Sequence, residues 1–176
     1  MRKAAFILGI LLVFGVIVPV AAQDETFELD YSTGIWIDAD DNPTGIGTSE
    51  IRWGNPAGSE QSGYEFIGSD GETFEAGEEF LIGEFWHYNW PIGLPAITWA
   101  QLQITLHFSD PPISPDPVFT YTFKHDETPN RGDCDDCEYS PCKRPCPDRV
   151  SFPDAYAEES YRIGDKLYTL VILGFK

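Results

Sequence analysis

The sequence predicts an all-β fold: a single antiparallel β-sandwich or jelly-roll-like domain with a disulfide-stapled loop, preceded by a signal peptide. Three observations carry this expectation. The longest segments alternate apolar and polar residues with a period of two, as half-buried strands do. No window of 11 or more residues after Ala22 holds a helical 3.6 period. The 176 residues include 16 Gly and 14 Pro, which punctuate the chain every few residues and keep its elements short. Many short strands with turn signals between them favour packed antiparallel sheets over βαβ units.

Residues 1–22 read as a secretory signal peptide. Arg2 and Lys3 form its charged start, and Ala4–Val18 is an unbroken apolar run of 15 residues. Pro19 breaks the helix, and Val20-Ala21-Ala22 offers small residues for cleavage before Gln23. A retained anchor would need about 20 apolar residues to cross a bilayer, so a cleaved leader fits better. Residues 23–176 then form one domain, with no stable membrane insertion after cleavage.

Within that domain the clearest strand is Trp99–Phe108. It sets Ala100, Leu102, Ile104, Leu106 and Phe108 on one face, against Gln101, Gln103, Thr105 and His107 on the other. Phe119, Tyr121 and Phe123 alternate with Thr120, Thr122 and Lys124 in the same way. Further strands are expected over Thr26–Tyr31, Gly34–Asp38, Ser49–Trp53, Gly63–Ile67, Phe80–Trp90 and Leu167–Phe175. Gly164-Asp165 is read as a hairpin turn returning Tyr161–Ile163 into the last of these. Pro111–Pro117 is a loop, because proline cannot donate to a ladder; it suits a long hairpin connection or a crossing between sheets. A short helix is sketched over Pro153–Ser160.

Charge narrows the function. There are 29 Asp+Glu against 11 Lys+Arg, a formal charge of −18. The leader holds two of the bases and none of the acids, so residues 23–176 carry −20. That sign excludes nucleic acid as a phosphate-neutralised partner and disfavours docking on anionic lipid. Hydrophobic residues at 42% and aromatics at 14% exclude a disordered chain.

All four cysteines, Cys134, Cys137, Cys142 and Cys146, fall in the cysteine-rich loop 130–148. In an exported protein an even count reads as disulfides. Three connectivities exist, and a Cys134–Cys137 ring would be very tight, which favours pairing between the two halves of the cluster. The rival is a four-thiolate zinc site, but C-x4-C-x3-C crowds its ligands more than structural zinc sites do.

Two acidic groups stand out. Asp38, Asp40, Asp41 and Asn42 place oxygens at alternate positions, with Asp38, Asp40 and Asn42 as candidate Ca2+ ligands. The EF-hand template fails there, since Pro43 stands where it needs Gly and Ser49 where it needs Glu. The plainer reading is a solvated turn. Asp133, Asp135 and Asp136 form a second group. No other cofactor is indicated.

Trp86, His87, Tyr88, Asn89 and Trp90 form the densest aromatic patch. Trp86, Tyr88 and Trp90 on one strand face would make a platform for sugar rings, with His87 and Asn89 on the opposite face. Sandwich core is the favoured role for the three aromatics. His87, His107 and His125 lie on three different expected strands, and a surface or hydrogen-bonding role is expected for each. No G-x-S-x-G or H-E-x-x-H occurs, and no carboxylate pair is singled out among the acids. Arg131-Gly132-Asp133 reads as a turn, and Asn42-Pro43-Thr44 is no glycan acceptor because of its proline.

Several segments together resemble the choice-of-anchor K family of exported bacterial surface domains. They are Thr44–Thr48 with Ile51–Gly54, Gln61–Tyr64, His87–Ile92, Asp126–Asn130 with the cysteines after it, and Tyr168–Leu170 with Leu173–Phe175. The resemblance implies an exported domain, often tethered through an interchangeable C-terminal sorting segment, implies no known enzymatic activity, and gives weight to His87, Asn89, Thr128 and Asn130. It departs from the family in having no sorting signal, hydrophobic tail or sortase motif before Lys176.

The expectation is a non-catalytic extracellular module, a structural or adhesive component of the cell surface or matrix. Its partners would be further copies of itself or cell-envelope components, and residues Gln23–Tyr31 could add as a strand to a neighbour's sheet. The alternatives are a carbohydrate-binding module, with glycans as partners, and a hydrolase with a carboxylate pair.

Overall fold

The computed structural model describes residues 11–19, 25–128, 138–139, 146–151 and 158–175. Thirteen strands and no helix occur among them: β1 (Leu11–Pro19), β2 (Thr26–Ala39), β3 (Glu50–Trp53), β4 (Asn55–Pro56), β5 (Ser62–Gly68), β6 (Glu72–Glu75), β7 (Glu79–Tyr88), β8 (Ile92–Gly93), β9 (Trp99–Asp110), β10 (Val118–Asp126), β11 (Arg149–Ser151), β12 (Glu158–Ile163) and β13 (Lys166–Phe175). A six-stranded sheet runs β12-β13-β1-β7-β5-β3, a five-stranded sheet runs β11-β10-β9-β2-β6, and β4 pairs with β8. Every registered strand pair is antiparallel. The all-β, sandwich-like fold is therefore as the alternation predicts.

The core is the seam between the two larger sheets. The predicted face of β9, from Ala100 to Phe108, is buried at every second residue. Phe119, Tyr121 and Phe123 of β10 join it. Aromatic rings bridge the sheets. Trp36 of β2 stacks on Tyr64 of β5 with centroids 5.2 Å apart, and Phe123 of β10 stacks on Phe85 of β7 at 5.0 Å. At the other end Phe74 of β6 stacks on Phe80 of β7 at 3.9 Å, and Phe27 of β2 meets Tyr168 of β13 edge-on at 5.1 Å. Each such pair adds about 0.5–1.5 kcal/mol to the area it buries.

Two strands slip phase, and both slips matter. The expected strands Thr26–Tyr31 and Gly34–Asp38 are one strand, β2. Phe27 and Leu29 face the core, then Asp30 and Tyr31 both face out, and Ser32, Gly34 and Trp36 resume inward. The pairing of β2 with β9 is irregular between Glu28 and Tyr31. In β7 the slip is at Gly83 (φ 152°), where Ile82, Gly83 and Phe85 are all buried. Side chains beyond it change faces.

Pro111–Pro117 is the connection of the β9–β10 hairpin, and Gly164 (φ 59°) turns β12 into β13, both as expected. The sketched helix is not formed over Glu158–Ser160, which pair as strand with Val171–Thr169; the rest of that segment lies outside the described residues. The described part of the apolar run, Leu11–Pro19, is extended rather than helical. β1 fills an internal place in the six-stranded sheet, between β13 and β7. Its Val-, Ile- and Phe-rich sequence suits a strand paired on both sides. Ile17 is 1% exposed, and its carbonyl accepts from Gly77 N at 2.5 Å.

Candidate functional site

Three regions bear on function, and each begins with how a strand presents its side chains. Beyond the slip at Gly83, β7 and the residues after it turn Trp86, Tyr88 and Trp90 outward and half-exposed, while His87 and Asn89 are buried. The five candidate ligand-binding residues are thus split between two faces. The expectation that the three aromatics form core is overturned, because the bulge inverts the alternation set by Phe80 and Ile82. The outer face is not bare. Tyr88 donates its hydroxyl to Glu65, the Arg52 guanidinium lies 3.9 Å over its ring, and Trp86 Nε1 donates to Glu84 at 3.3 Å.

The Asp38–Asn42 segment spans the end of β2 and the turn after it. Asp38 Oδ1 accepts from Ala39 N at 2.9 Å. Asp40 caps the start of β9: Oδ1 accepts from Thr98 N (2.8 Å) and Trp99 N (3.1 Å), and Oδ2 accepts the Thr98 hydroxyl. Burial works against the Asp40 carboxylate, but these bonds outweigh it and lower its pKa. Asp41 and Asn42 both take left-handed φ values of 54° and 49°, a conformation Asp and Asn tolerate best. Both oxygens of Asp40 thus serve the fold. Replacing Asp40 by Asn should cost about 1–2 kcal/mol in urea unfolding at pH 7, discounted for its exposure. A depressed folded pKa means that this stability is present above the unfolded carboxylate pKa and is lost as pH falls through the folded one. The difference between variant and parent should accordingly vanish in acid.

The third region is a buried polar cluster that the sequence does not announce. His87 of β7, His125 of β10 and Asp148, just before β11, converge under Trp53 and Tyr64. All three are buried, and one ligand-type atom from each lies within 4.8 Å of the others. His87 Nε2 stands 3.6 Å from Asp148 Oδ2, and neither atom has a hydrogen-bond partner. Asp148 Oδ1, by contrast, accepts Thr128 N at 2.8 Å and lies 3.0 Å from the Thr128 hydroxyl. Asn89 Nδ2 donates to the Cys146 carbonyl at 3.1 Å. His125 has its Nδ1 2.6 Å from the Tyr64 hydroxyl and its Nε2 3.2 Å from Glu127 Oε2.

Burial dominates the electrostatics here. It pushes the His87 pKa down to about 3, with His125 adding to the shift, so His87 is a neutral imidazole at neutral pH. Burial, then the Glu127 carboxylate, raise Asp148 to about 6, and burial also raises Tyr64. Of the surface or hydrogen-bonding role expected for each histidine, His125 takes the hydrogen-bonding one, while His87 is buried with its Nε2 unpartnered. His107 is half-buried, stacked on Tyr31 at 4.1 Å and 2.9 Å from Asp116 Oδ2.

His87, Asn89 and Thr128, to which the family resemblance gives weight, meet in this cluster. His125 is legible as the next inward position after Phe123. Asp148 carries no sequence signal, since only the folded chain brings it to His87. Cys146 is buried beside it. Cys134, Cys137, Cys142, Asn130 and the acidic group Asp133, Asp135 and Asp136 lie outside the described residues, as does Arg131-Gly132-Asp133.

No family model matches the chain, and no match is found among curated proteins.

Proposed function

We propose that the chain is a non-catalytic module exported to the cell surface or extracellular matrix, where it assembles by strand addition. The observation that supports this most is the place of β1. A segment with the pattern of a cleavable leader is hydrogen-bonded on both edges inside a sheet, from Leu11↔Phe85 to Val16↔Glu79 on one side and from Val13↔Phe175 to Pro19↔Tyr168 on the other. Cleavage after Ala22 would strip β7 and β13 of these partners. Unpaired backbone in the middle of a sheet is costly, and an added strand repairs it.

The strand that fits is Gln23–Tyr31 of a second copy. It stands at the new N-terminus and alternates Phe27, Leu29 and Tyr31 with Glu28 and Asp30. In its own sheet it pairs with β6 from Thr26 to Leu29, and its pairing to β9 on the other edge is irregular between Glu28 and Tyr31, so strand addition exchanges these contacts for those of the neighbour. The exported character implied by the choice-of-anchor K resemblance agrees with this reading. The charge of −20 opposes close approach of copies, so salt or divalent cations should promote assembly.

Residues 23–176 purified without the leader should form oligomers or filaments under electron microscopy, increasingly so as ionic strength rises. An excess of a peptide spanning Leu11–Pro19 should occupy the slot and hold the chain monomeric. Monomers at every salt and Ca2+ concentration would overturn the proposal.

A carbohydrate-binding role is the second reading, favoured by the outward Trp86, Tyr88 and Trp90. Signal on a glycan array that falls at least about tenfold in Trp86→Ala would support it; a blank array would dismiss it.

A further inference from the structure

The buried cluster has the composition of a metal centre and the defects of an unfilled hydrogen-bond network. Two imidazoles and a carboxylate converge from β7, β10 and the segment before β11. The rings of Trp53 and Tyr64 pack edge-on against His125 and His87 and bury the cluster. Three buried polar atoms here lack a partner: His87 Nε2, Asp148 Oδ2 and Asn89 Oδ1. Buried polar groups are almost always bonded, so several unpartnered atoms at one point indicate a missing species. A cation satisfies the first two together.

We propose that His87, His125 and Asp148 bind one divalent transition-metal ion of the zinc type. Imidazole nitrogen with carboxylate oxygen suits Zn2+ and its neighbours in the transition series, and does not suit Ca2+, which takes oxygen alone. The 3.6 Å between His87 Nε2 and Asp148 Oδ2 is close to the roughly 3.3 Å edge of a tetrahedron with bonds of about 2.0 Å. The outer partners are already in place. Tyr64 holds His125 through Nδ1, which leaves Nε2, 3.2 Å from Glu127 Oε2, to ligate. Thr128 fixes Asp148 through the other carboxylate oxygen. Such contacts orient ligands and are usual around metal-bound His and Asp. A neutral His87 has the lone pair that binding requires. The ion is enclosed, which makes it structural. It ties the end of the cysteine-rich loop to both sheets.

The test is to titrate the metal-free whole chain with Co2+ and then Zn2+. One equivalent of Co2+ should give visible bands of four-coordinate cobalt without near-ultraviolet thiolate charge transfer, and Zn2+ should displace it. Asp148→Asn should weaken binding on the order of 100-fold and Tyr64→Phe about 10-fold. The wild-type spectrum is decisive even where a variant fails to fold. No bound ion, or a thiolate-type spectrum that points to the cysteines instead, would overturn the proposal. Neither result depends on whether the chain assembles.

Discussion

Replacing Gly34 by valine is expected to destabilise the domain by at least about 3 kcal/mol, enough to remove much of a typical domain's stability. Gly34 sits in β2 with its missing side chain aimed at the six-stranded sheet. A Cβ there would stand 2.2 Å from Cδ1 of Phe66 and 2.8 Å from two further ring atoms. Phe66 cannot retreat. It is buried in β5, and a Cβ on Gly83 would meet the opposite side of the same ring at 2.4 Å. The two glycines thus form a slot for one phenyl group, and that slot sets how closely the sheets approach. Chemical denaturation reads the loss directly. A double-mutant cycle reads the cause: Gly34→Ala should cost at least about 1 kcal/mol less when Phe66 is already leucine. Equal costs in both backgrounds would show that the ring contact is not the reason.

Much of this fold is legible from residue alternation, because burial on one face is a local property of a strand. β9 and β10 show it most plainly: every second residue from Ala100 to Phe108 and from Phe119 to His125 is buried, in the phase the sequence displays. What fails is phase across a bulge. Read from Phe80 and Ile82, even positions should point inward, which makes Trp86, Tyr88 and Trp90 core. The extra residue at Gly83 reverses this and buries His87 and Asn89 instead. A glycine inside a strand is a hint of such a slip, but it gives no direction. The short strands β4, β6, β8 and β11 are too brief to display a period and arise from pairing with longer neighbours.

The buried cluster was less legible for a related reason. His87 and His125 are 38 positions apart, and Asp148 lies at the end of a loop rich in proline and cysteine. Metal-ligand patterns within one element fix spacing through local geometry, as two histidines one helical turn apart do. Here the ligands come from two facing sheets and a connection, so no spacing encodes them. The same holds for β1. Its apolar run identifies both a leader and a buried strand, and only the partners on each side distinguish the roles it can play.

Trp36→Ala should cost about 3–5 kcal/mol, the range for emptying a large aromatic from a core. Trp36 is 0% exposed at the centre of the seam. It stacks on Tyr64 at 5.2 Å, meets Phe85 edge-on at 6.1 Å and packs against Phe123 at 5.4 Å, so its loss opens a cavity touching both sheets. Trp36→Phe separates shape from hydrogen bonding. The indole Nε1 donates to the Ser49 carbonyl at 3.1 Å, but that carbonyl also accepts from Phe66 N at 2.9 Å. Phenylalanine therefore leaves no orphaned acceptor, and its cost should stay near 1–2 kcal/mol, mostly from the smaller ring. Urea midpoints with unchanged slopes would place both losses in the folded state. If Trp36→Phe proved as costly as Trp36→Ala, the second bond to Ser49 would outweigh the stacking, and the seam would be held by its polar contacts more than by its rings.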